Sequence, residues 1–130
     1  MDFSPEHERK INEMFNNDIV FVYEWPKKLR SFYSMPKDDK VCYAYDALMG
    51  GIEILSGATR IHNPDLLEKQ LKAKGMNPKE FKYYVDAFRY GCPPHSGWSF
   101  GLERITMALL GIQNIREVTI FPRDINRLVP

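Results

Sequence analysis

The sequence predicts an α+β fold in which an antiparallel β-sheet is flanked by helices. Two β-rich segments, residues 41–49 and 52–61, lie on either side of Gly50-Gly51, a pair that is typical of a tight hairpin. Two helix entries follow, and both use an asparagine and then a proline, at residues 63–64 and 77–78. Because a hairpin joins antiparallel neighbours, we expect the sheet to be antiparallel.

The chain before the hairpin predicts one helix and two strands. Ser4 suits an N-cap and Pro5 suits a first turn, so a helix is predicted from Pro5 to about Asn16. Its apolar face is formed by Ile11, Met14 and Phe15. The run from residue 18 to 25 is apolar at nearly every position, which favours a central strand covered on both faces. A second, short strand is expected at residues 32–35.

The chain after the hairpin predicts three helices and two strands. The first helix begins after Asn63 and ends at Gly75, and the second begins after Asn77, with Glu80 placed to close a capping box. An apolar stripe is expected to pack the second helix on the sheet, through Phe81, Tyr84, Val85 and Phe88. The stretch 91–111 then supplies a strand and an almost wholly apolar, therefore buried, helix. Residues 118–121 are expected to form the last strand.

Composition predicts one globular domain over residues 1–130. The chain is 44% hydrophobic and 27% charged, and its formal net charge is +1. This balance provides no general basic field, so nucleic-acid binding would need a local patch or further sequence. Cys42 and Cys92 have no CxxC partner, which is typical of reduced cytoplasmic thiols. No apolar run is long enough to cross a membrane, so we expect a cytoplasmic protein without a membrane partner.

Arg104 lies in the first turn of the predicted apolar helix. A cation there opposes the partial positive charge of the helix N-terminus, at a cost of roughly 0.3–1 kcal/mol. An anion held jointly by the arginine and the helix end would explain this placement, since helix N-termini often bind phosphates. We therefore expect a nucleotide phosphate at Arg104.

The second strand of the hairpin carries polar residues within an apolar segment, at Glu53, Ser56 and Arg60. Strict alternation places Ser56 and Arg60 on one face and Glu53 on the other. A bulge near residues 55–57 would bring all three to one pocket, and a solvated face with an incidental ion pair is the alternative. His95, taken alone, is more often a packed residue than a catalyst, and the histidines lack metal-ligand spacing.

Several segments resemble one enzyme family when they are taken together. The sequence Gly101-Leu102-Glu103-Arg104 at the start of a helix, with residues 114–118 and 121–123, resembles motif 3 of class II aminoacyl-tRNA synthetases. Within that class, Pro93-Pro94-His95, residues 53–57 with 60–62, and residues 121–124 with 127–128 resemble the aspartyl-tRNA synthetase branch of archaeal and eukaryotic type. The resemblance covers essentially the whole chain and corresponds to the C-terminal part of a catalytic domain.

The resemblance implies a nucleotide site. Arg104 matches the arginine that holds the γ-phosphate of ATP, and Glu53 matches the acid that binds the ATP-associated Mg²⁺. Ser56 matches a hydroxyl that joins this metal and lies close to the amino acid. The neighbouring nucleotide-binding wall corresponds to Gly101, Leu102 and Glu103.

The resemblance also implies an amino-acid site and a reaction. Arg60 matches the arginine that receives the side-chain carboxylate of aspartate, and His95 matches a histidine beside this substrate. The implied reaction is attack of aspartate on the α-phosphate of ATP, which yields aspartyl-adenylate and pyrophosphate, followed by transfer to the 3′ end of tRNA. Catalytic roles fall to Arg104 and Glu53.

Two other family elements, motifs 1 and 2, and the anticodon-binding barrel are not found in this sequence. We therefore expect a truncated form that does not aminoacylate tRNA alone, and whose uncovered sheet edge favours self-association or a homodimer. Asparaginyl-tRNA synthetase and the synthetase-derived asparagine synthetase are alternatives, although Pro93-Pro94 favours the aspartyl branch. A non-catalytic paralogue that binds ATP, an amino acid or a protein is a further alternative.

Overall fold

The fold is a four-stranded antiparallel sheet with helices, as the sequence predicts. A computed structural model describes residues 3–16 and 18–129. The strands follow the spatial order β1-β2-β3-β4. Their bounds are β1 Val20–Tyr23, β2 Ala44–Met49, β3 Ile52–Thr59 and β4 Ser96–Phe100. The α-helices are α1 Pro5–Met14, α2 Pro64–Ala73, α3 Lys82–Arg89 and α4 Leu102–Leu110, and short 3₁₀ turns occupy Lys27–Leu29, Pro78–Phe81 and Ile115–Glu117.

The described residues group into two compact units. Unit 1 takes its residues from Met1–Val22, Asp46–Ser56 and Ser99–Pro130, and so includes α1 and α4. Unit 2 takes its residues from Tyr23–Tyr45 and Gly57–Trp98, and so includes α2 and α3. The single domain expected from composition stays a prediction. None of the helices in the described ranges is both long and apolar enough to pass through a membrane.

The β2–β3 hairpin forms at the predicted glycines. Gly50 and Gly51 have φ values of 59° and 77°, a region that glycine enters without the penalty that a side chain imposes. A Cβ on Gly51 would lie 2.7 Å from Cγ of Arg9. Asn12 on α1 fixes this turn, since its side chain is fully buried, accepts a hydrogen bond from Gly51 N (2.9 Å) and donates to Asp18 O (2.9 Å). The buried residue of α1 is thus polar.

The helix entries confirm the local predictions with one exception. The Ser4 side chain accepts from His7 N at the start of α1, and Asn63 accepts from Leu66 N at the start of α2. Asn77 begins a 3₁₀ turn that leads into α3. The predicted capping box there is wrong, because Glu80 accepts a hydrogen bond from the Asn77 side chain (3.3 Å) instead of capping the backbone.

The core of unit 2 is built where α2 and α3 meet the chain that follows β3. Ile61, Leu67, Leu71 and Val85 are fully buried, and Phe81 and Phe88 pack against them. The apolar stripe predicted for the second helix therefore packs chiefly on α2 and Ile61, whereas we expected it on the sheet face.

The predicted central strand is an edge strand. β1 lies at one end of the sheet order, and its burial alternates, with Phe21 58% and Tyr23 71% exposed. An apolar run does not distinguish a strand covered on both faces from an edge strand whose outer face is bare. The stripe predicted for α1 is likewise exposed, with Met14 69% and Phe15 55% accessible.

Two short predicted strands are absent from the described chain. Residues 32 and 33 form a turn, and Ser34 makes an isolated bridge with Arg60, just after β3, flanked by the bonds from Met35 N to Thr59 O and from Ile61 N to Tyr33 O (both 2.9 Å). Residues 118–121 follow a 3₁₀ turn, and no described segment pairs with them in the sheet. Residues 32–35 thus have hydrogen-bonded neighbours but too few successive pairs to form a strand, whereas residues 118–121 have no sheet neighbour among the described residues.

Helix α4 forms as predicted but is not buried. None of its residues is buried, and Leu102, Leu109 and Leu110 are 73%, 65% and 66% exposed. An apolar composition shows that a helix needs cover, but it does not show that the same chain provides it. The described residues therefore leave a large apolar helix surface open to solvent.

Candidate active site

Unit 1 contains a small cleft where β3, β4 and the start of α4 come together. Its volume is about 210 Å³, and four of the predicted site residues line it: Glu53, Ser56, Gly101 and Arg104. Gly101 N donates to Ile54 O (3.0 Å), which extends the β3–β4 pairing to the N-cap of α4. The backbone thus brings together residues that are about 50 positions apart in the sequence.

Arg104 is held against β3. Its Nη1 donates to the backbone oxygen of Glu53 (3.0 Å) and lies 3.9 Å from Glu53 Oε1. The arginine side chain is 53% exposed, so this ion pair is a loose contact that leaves most of the guanidinium accessible. A Cβ on Gly101 would lie 3.4 Å from Cβ and Cδ of Arg104, an ordinary contact distance, so the aliphatic stem of Arg104 packs beside the helix start.

The first turn of α4 offers further donors. The N-cap residue is Gly101, which has no side chain to accept from the first backbone N–H groups of the helix. Leu102 and Glu103 belong to this turn but do not line the cleft, and Leu102 is 73% exposed. Of the predicted nucleotide wall, only Gly101 and Arg104 face the cleft. Ser99 and Phe100 also line it, although sequence reasoning did not select them.

Unit 2 contains a second cleft, built around Arg60. Its volume is about 320 Å³, and it is lined by Tyr33, Arg60, Tyr84, His95, Ser96 and Gly97. Arg60 Cζ lies 4.5 Å from the centre of the Tyr33 ring, and Nη2 donates to Gly97 O (3.3 Å). A Cβ on Gly97 would lie 3.1 Å from the guanidinium, so glycine permits this close approach. The Tyr33 ring and the Gly97 backbone oxygen together hold the Arg60 guanidinium in one position.

Arg60 has no carboxylate partner in the described ranges. The ion pairs of unit 2 join other residues, such as Arg89 with Glu68 (2.6 Å). Arg60 is half-buried, and a half-buried guanidinium has unused donors that favour a bound anion. Tyr33 and Tyr84 were not selected from the sequence. Tyr84 could have been found, because it belongs to the predicted apolar stripe and yet carries a hydroxyl.

His95 lies at the entrance to β4, in the same cleft as Arg60. Its backbone oxygen accepts from Arg60 N (2.9 Å), so the histidine is fixed beside the arginine. Nδ1 lies 3.0 Å from Pro93 O and 3.5 Å from Cys92 Sγ. A carbonyl oxygen only accepts, so Nδ1 carries the proton in this contact and Nε2 is left to accept a hydrogen bond.

The two tyrosines of the Arg60 cleft differ in acidity. A hydrogen bond to the Ser31 side chain lowers the pKa of Tyr33, and the neighbouring Arg60 lowers it further. Burial raises the pKa of Tyr84. Arg60 supplies a permanent positive charge to this cleft.

Neither cleft contains a preformed metal cage. Among the described residues no group of three or more His, Cys, Asp or Glu side chains could hold a metal ion. Glu53 and Ser56 provide one carboxylate and one hydroxyl in the Arg104 cleft. Such a donor set fits Mg²⁺, which proteins commonly bind through one or two carboxylates together with substrate phosphates and water.

The alternation predicted for β3 is broken in the structure. Ile54 and Leu55 are both buried although they are adjacent, and so are Gly57 and Ala58. Glu53 and Ser56, which strict alternation assigns to opposite faces, line one cleft. Arg60 lines the other cleft, so the three polar residues do not share a single pocket.

Comparison with known proteins defines the class to which these clefts belong. A solved structure, aspartyl tRNA synthetase from Entamoeba histolytica, matches 100% of this chain and 28% of its own with a TM-score of 0.95 and 45% identity. Asparaginyl-tRNA synthetase from Pyrococcus horikoshii matches 100% of this chain and 32% of its own with a TM-score of 0.92 and 34% identity. The fold is that of a class II aminoacyl-tRNA synthetase catalytic domain.

Comparison of sequences identifies a particular family within this class. The family model for tRNA synthetases class II (D, K and N) matches residues 1–125, and the chain belongs to this family. The aspartate–tRNA(Asp) ligase of Picrophilus torridus is 53% identical over 129 residues, which are 99% of this chain and 30% of that protein. The resemblance seen in the motifs is thus confirmed. The chain spans about 30% of the length of the curated relatives that it matches.

Proposed function

We propose that this chain forms part of the active site of an aspartate–tRNA ligase. The nucleotide phosphates bind in the Arg104 cleft, and the aspartate side chain binds in the Arg60 cleft. The observation that supports this most strongly is the half-buried Arg60 guanidinium, which contacts a tyrosine ring and a backbone oxygen but no described carboxylate. A side-chain carboxylate would receive two parallel N–H groups from it.

Aspartate fits this guanidinium better than asparagine does. An arginine only donates hydrogen bonds, and a carboxylate offers two acceptor oxygens and a negative charge. A side-chain amide offers one oxygen, and its NH₂ group would face a donor. Asparagine is therefore the second candidate, supported by the likeness to asparaginyl-tRNA synthetase, and the synthetase-derived asparagine synthetase shares the same residue pattern.

In the nucleotide cleft, Arg104 binds the γ-phosphate and neutralises charge on the departing pyrophosphate. The backbone N–H groups at the start of α4 add donors for the same anion. Glu53 and Ser56 would hold Mg²⁺, which, when bound, supplies further positive charge for the phosphate oxygens. Gly101, Leu102 and Glu103 contribute through their backbone.

The reaction that we propose for the whole protein has two steps. An oxygen of the aspartate α-carboxylate attacks the α-phosphorus of ATP, the bond to the bridging oxygen breaks, and pyrophosphate leaves. A ribose hydroxyl at the 3′ end of tRNA then attacks the aspartyl carbonyl, and AMP leaves. In this scheme Arg60 orients aspartate by its side chain, and His95 packs beside it with Nε2 available as an acceptor.

The isolated chain is proposed to bind ligands without completing this reaction. It spans about 30% of its relatives' length, so other parts of those proteins have no counterpart here. Aspartate-dependent ATP–pyrophosphate exchange by the purified chain is expected to be absent, and exchange at ordinary enzymatic rates would contradict this. The cytoplasm is the proposed compartment, because tRNA charging takes place there and the two cysteines are free.

Calorimetric titration with aspartate and asparagine tests the assignment of Arg60. We expect aspartate to bind at least about tenfold more tightly than asparagine, because the amide leaves a donor facing a donor. Equal affinity, or tighter binding of asparagine, would move the assignment to the asparaginyl branch. No binding of either amino acid, together with no ATP binding, would favour the non-catalytic paralogue.

A further inference from the structure

A lysine-rich cavity lies in unit 2. It shares no lining residue with the Arg60 cleft. Its volume is about 700 Å³, within the usual range of small-ligand sites and larger than either cleft described above. Four lysines and one acid line it: Lys27, Lys28, Lys40, Lys74 and Asp39. Four positive charges and one negative charge give +3 at this cavity, in a chain whose formal net charge is +1.

Three of these lysines have no ionic partner. Across residues 3–16 and 18–129, no carboxylate lies within ion-pair distance of Lys27, Lys28 or Lys40, whereas Lys37 pairs with Glu24 on the surface of the same unit. Lys74 has a structural role. Its ammonium donates to Lys27 O (3.2 Å) and Lys28 O (2.9 Å), which fixes the 3₁₀ turn at the cavity wall.

Gln70 adds a neutral hydrogen-bonding group to the wall of the cavity. This residue of α2 is only 5% exposed and lines the cavity. Its side-chain amide makes no hydrogen bond to any residue in the described part of the chain. The amide is accessible from the cavity and can donate to an anion bound there.

We propose that this cavity binds a small polyphosphate anion, an inorganic polyphosphate or the phosphate tail of a nucleotide. Lysine ammonium groups bind phosphate oxygens as point charges, and three unpaired ones match an anion that carries several charges. The Gln70 amide donates to a phosphate oxygen at the wall of the cavity. A nucleic-acid backbone fits less well, since it is recognised by an extended basic surface and this site is a concave pocket.

The test is a calorimetric titration of the chain with sodium tripolyphosphate at low and moderate salt. It is carried out in the Arg104→Ala background, so that the nucleotide cleft does not contribute. We expect saturable binding that weakens with salt, and a Kd at least tenfold higher in Lys27→Ala/Lys28→Ala. The matched control, Lys69→Ala/Lys72→Ala, removes the same charge from exposed positions of α2 outside the cavity and should leave the Kd unchanged within twofold.

Two further variants separate binding from folding. Lys27→Arg/Lys28→Arg keeps the charge and should retain binding, and Gln70→Leu should weaken it while circular dichroism stays unchanged. ATP in place of tripolyphosphate identifies the source: equal affinity assigns the phosphate group, and tighter binding assigns a nucleotide.

The proposal is overturned if tripolyphosphate does not bind or if Lys27→Ala/Lys28→Ala binds it unchanged. It is also overturned if a single-stranded RNA displaces tripolyphosphate with higher affinity, since the site would then be a nucleic-acid surface. The proposal does not depend on the proposed ligase function. If the chain binds tripolyphosphate but does not bind aspartate, only the proposed ligase function is refuted.

Discussion

Replacing Arg60 by glutamine should selectively weaken aspartate binding. The guanidinium is held over the Tyr33 ring (4.5 Å) and by Gly97 O (3.3 Å), so its remaining donors are oriented before the ligand arrives. A hydrogen bond to a charged group contributes roughly 1.5–3 kcal/mol, and the half-buried position favours the middle of that range. A loss of about 2 kcal/mol corresponds to a Kd about 30-fold higher.

The assay is isothermal titration with aspartate, with thermal unfolding measured in parallel. Arg60→Lys keeps the charge but loses the planar pair of donors, so an increase of about fivefold in Kd is expected, from roughly 1 kcal/mol. Arg116→Gln is the control, because Arg116 pairs with Asp124 (2.7 Å) and lines neither cleft. An Arg60→Gln variant that binds aspartate normally would refute the assignment of this cleft.

Three further predictions concern packing, reactivity and association. Asn12→Ala leaves the Gly51 N–H and a backbone oxygen without partners in a buried site, so it should destabilise the chain by about 2–4 kcal/mol in urea unfolding. Full stability would contradict this role. Cys42 is 2% exposed and burial raises its thiol pKa, so at pH 8 a thiol reagent should modify the half-buried Cys92 at least about tenfold faster. Equal rates would show that Cys42 is accessible. The exposed leucines of α4 and the bare face of β1 should cause concentration-dependent self-association, and a clean monomer in sedimentation at high micromolar concentration would argue against it.

The pH dependence of the Cys42 contribution has a definite sign. Because burial raises the pKa of the folded thiol, the unfolded chain ionises first as pH increases. The contribution is therefore complete below the pKa of the unfolded thiol and is lost as pH rises through the folded value. Cys42→Ser should reduce this alkaline loss, and urea unfolding between pH 7 and 10 would measure it. An unchanged profile would assign the loss to other groups.

Local signals in the sequence were sufficient for the turns and helix entries. The Gly50-Gly51 hairpin and the cap at Asn63 depend on residues within three or four positions, and both form as predicted. Local signals did not predict which faces of the helices and strands are buried by other parts of the chain. Helix α4 and strand β1 are apolar in composition but exposed, because burial depends on which distant segments pack against them.

In the candidate site, too, some features follow from local sequence and others depend on distant contacts. Glu53, Ser56, Gly101 and Arg104 come together through pairing of β3 with β4, which the family resemblance implied and periodicity alone did not. Alternation failed at β3, where adjacent residues are buried in pairs. Asn12 and the lysine-rich cavity had no local signal. Their arrangement depends on contacts between residues that are 30 or more positions apart, such as Asn12 with Gly51 (|i−j| = 39) and Lys74 with Lys27 (|i−j| = 47).

Binding of Mg·ATP to the chain and to Arg104→Ala is the decisive test of the nucleotide site, with Arg116→Ala as the control. All three proteins also carry Lys27→Ala/Lys28→Ala, so that the lysine-rich cavity does not contribute. We expect saturable binding to the chain, loss of at least tenfold in affinity in Arg104→Ala, and no change in Arg116→Ala. ATP affinity that is the same in all three proteins, or absent from all three, would contradict a nucleotide site at Arg104.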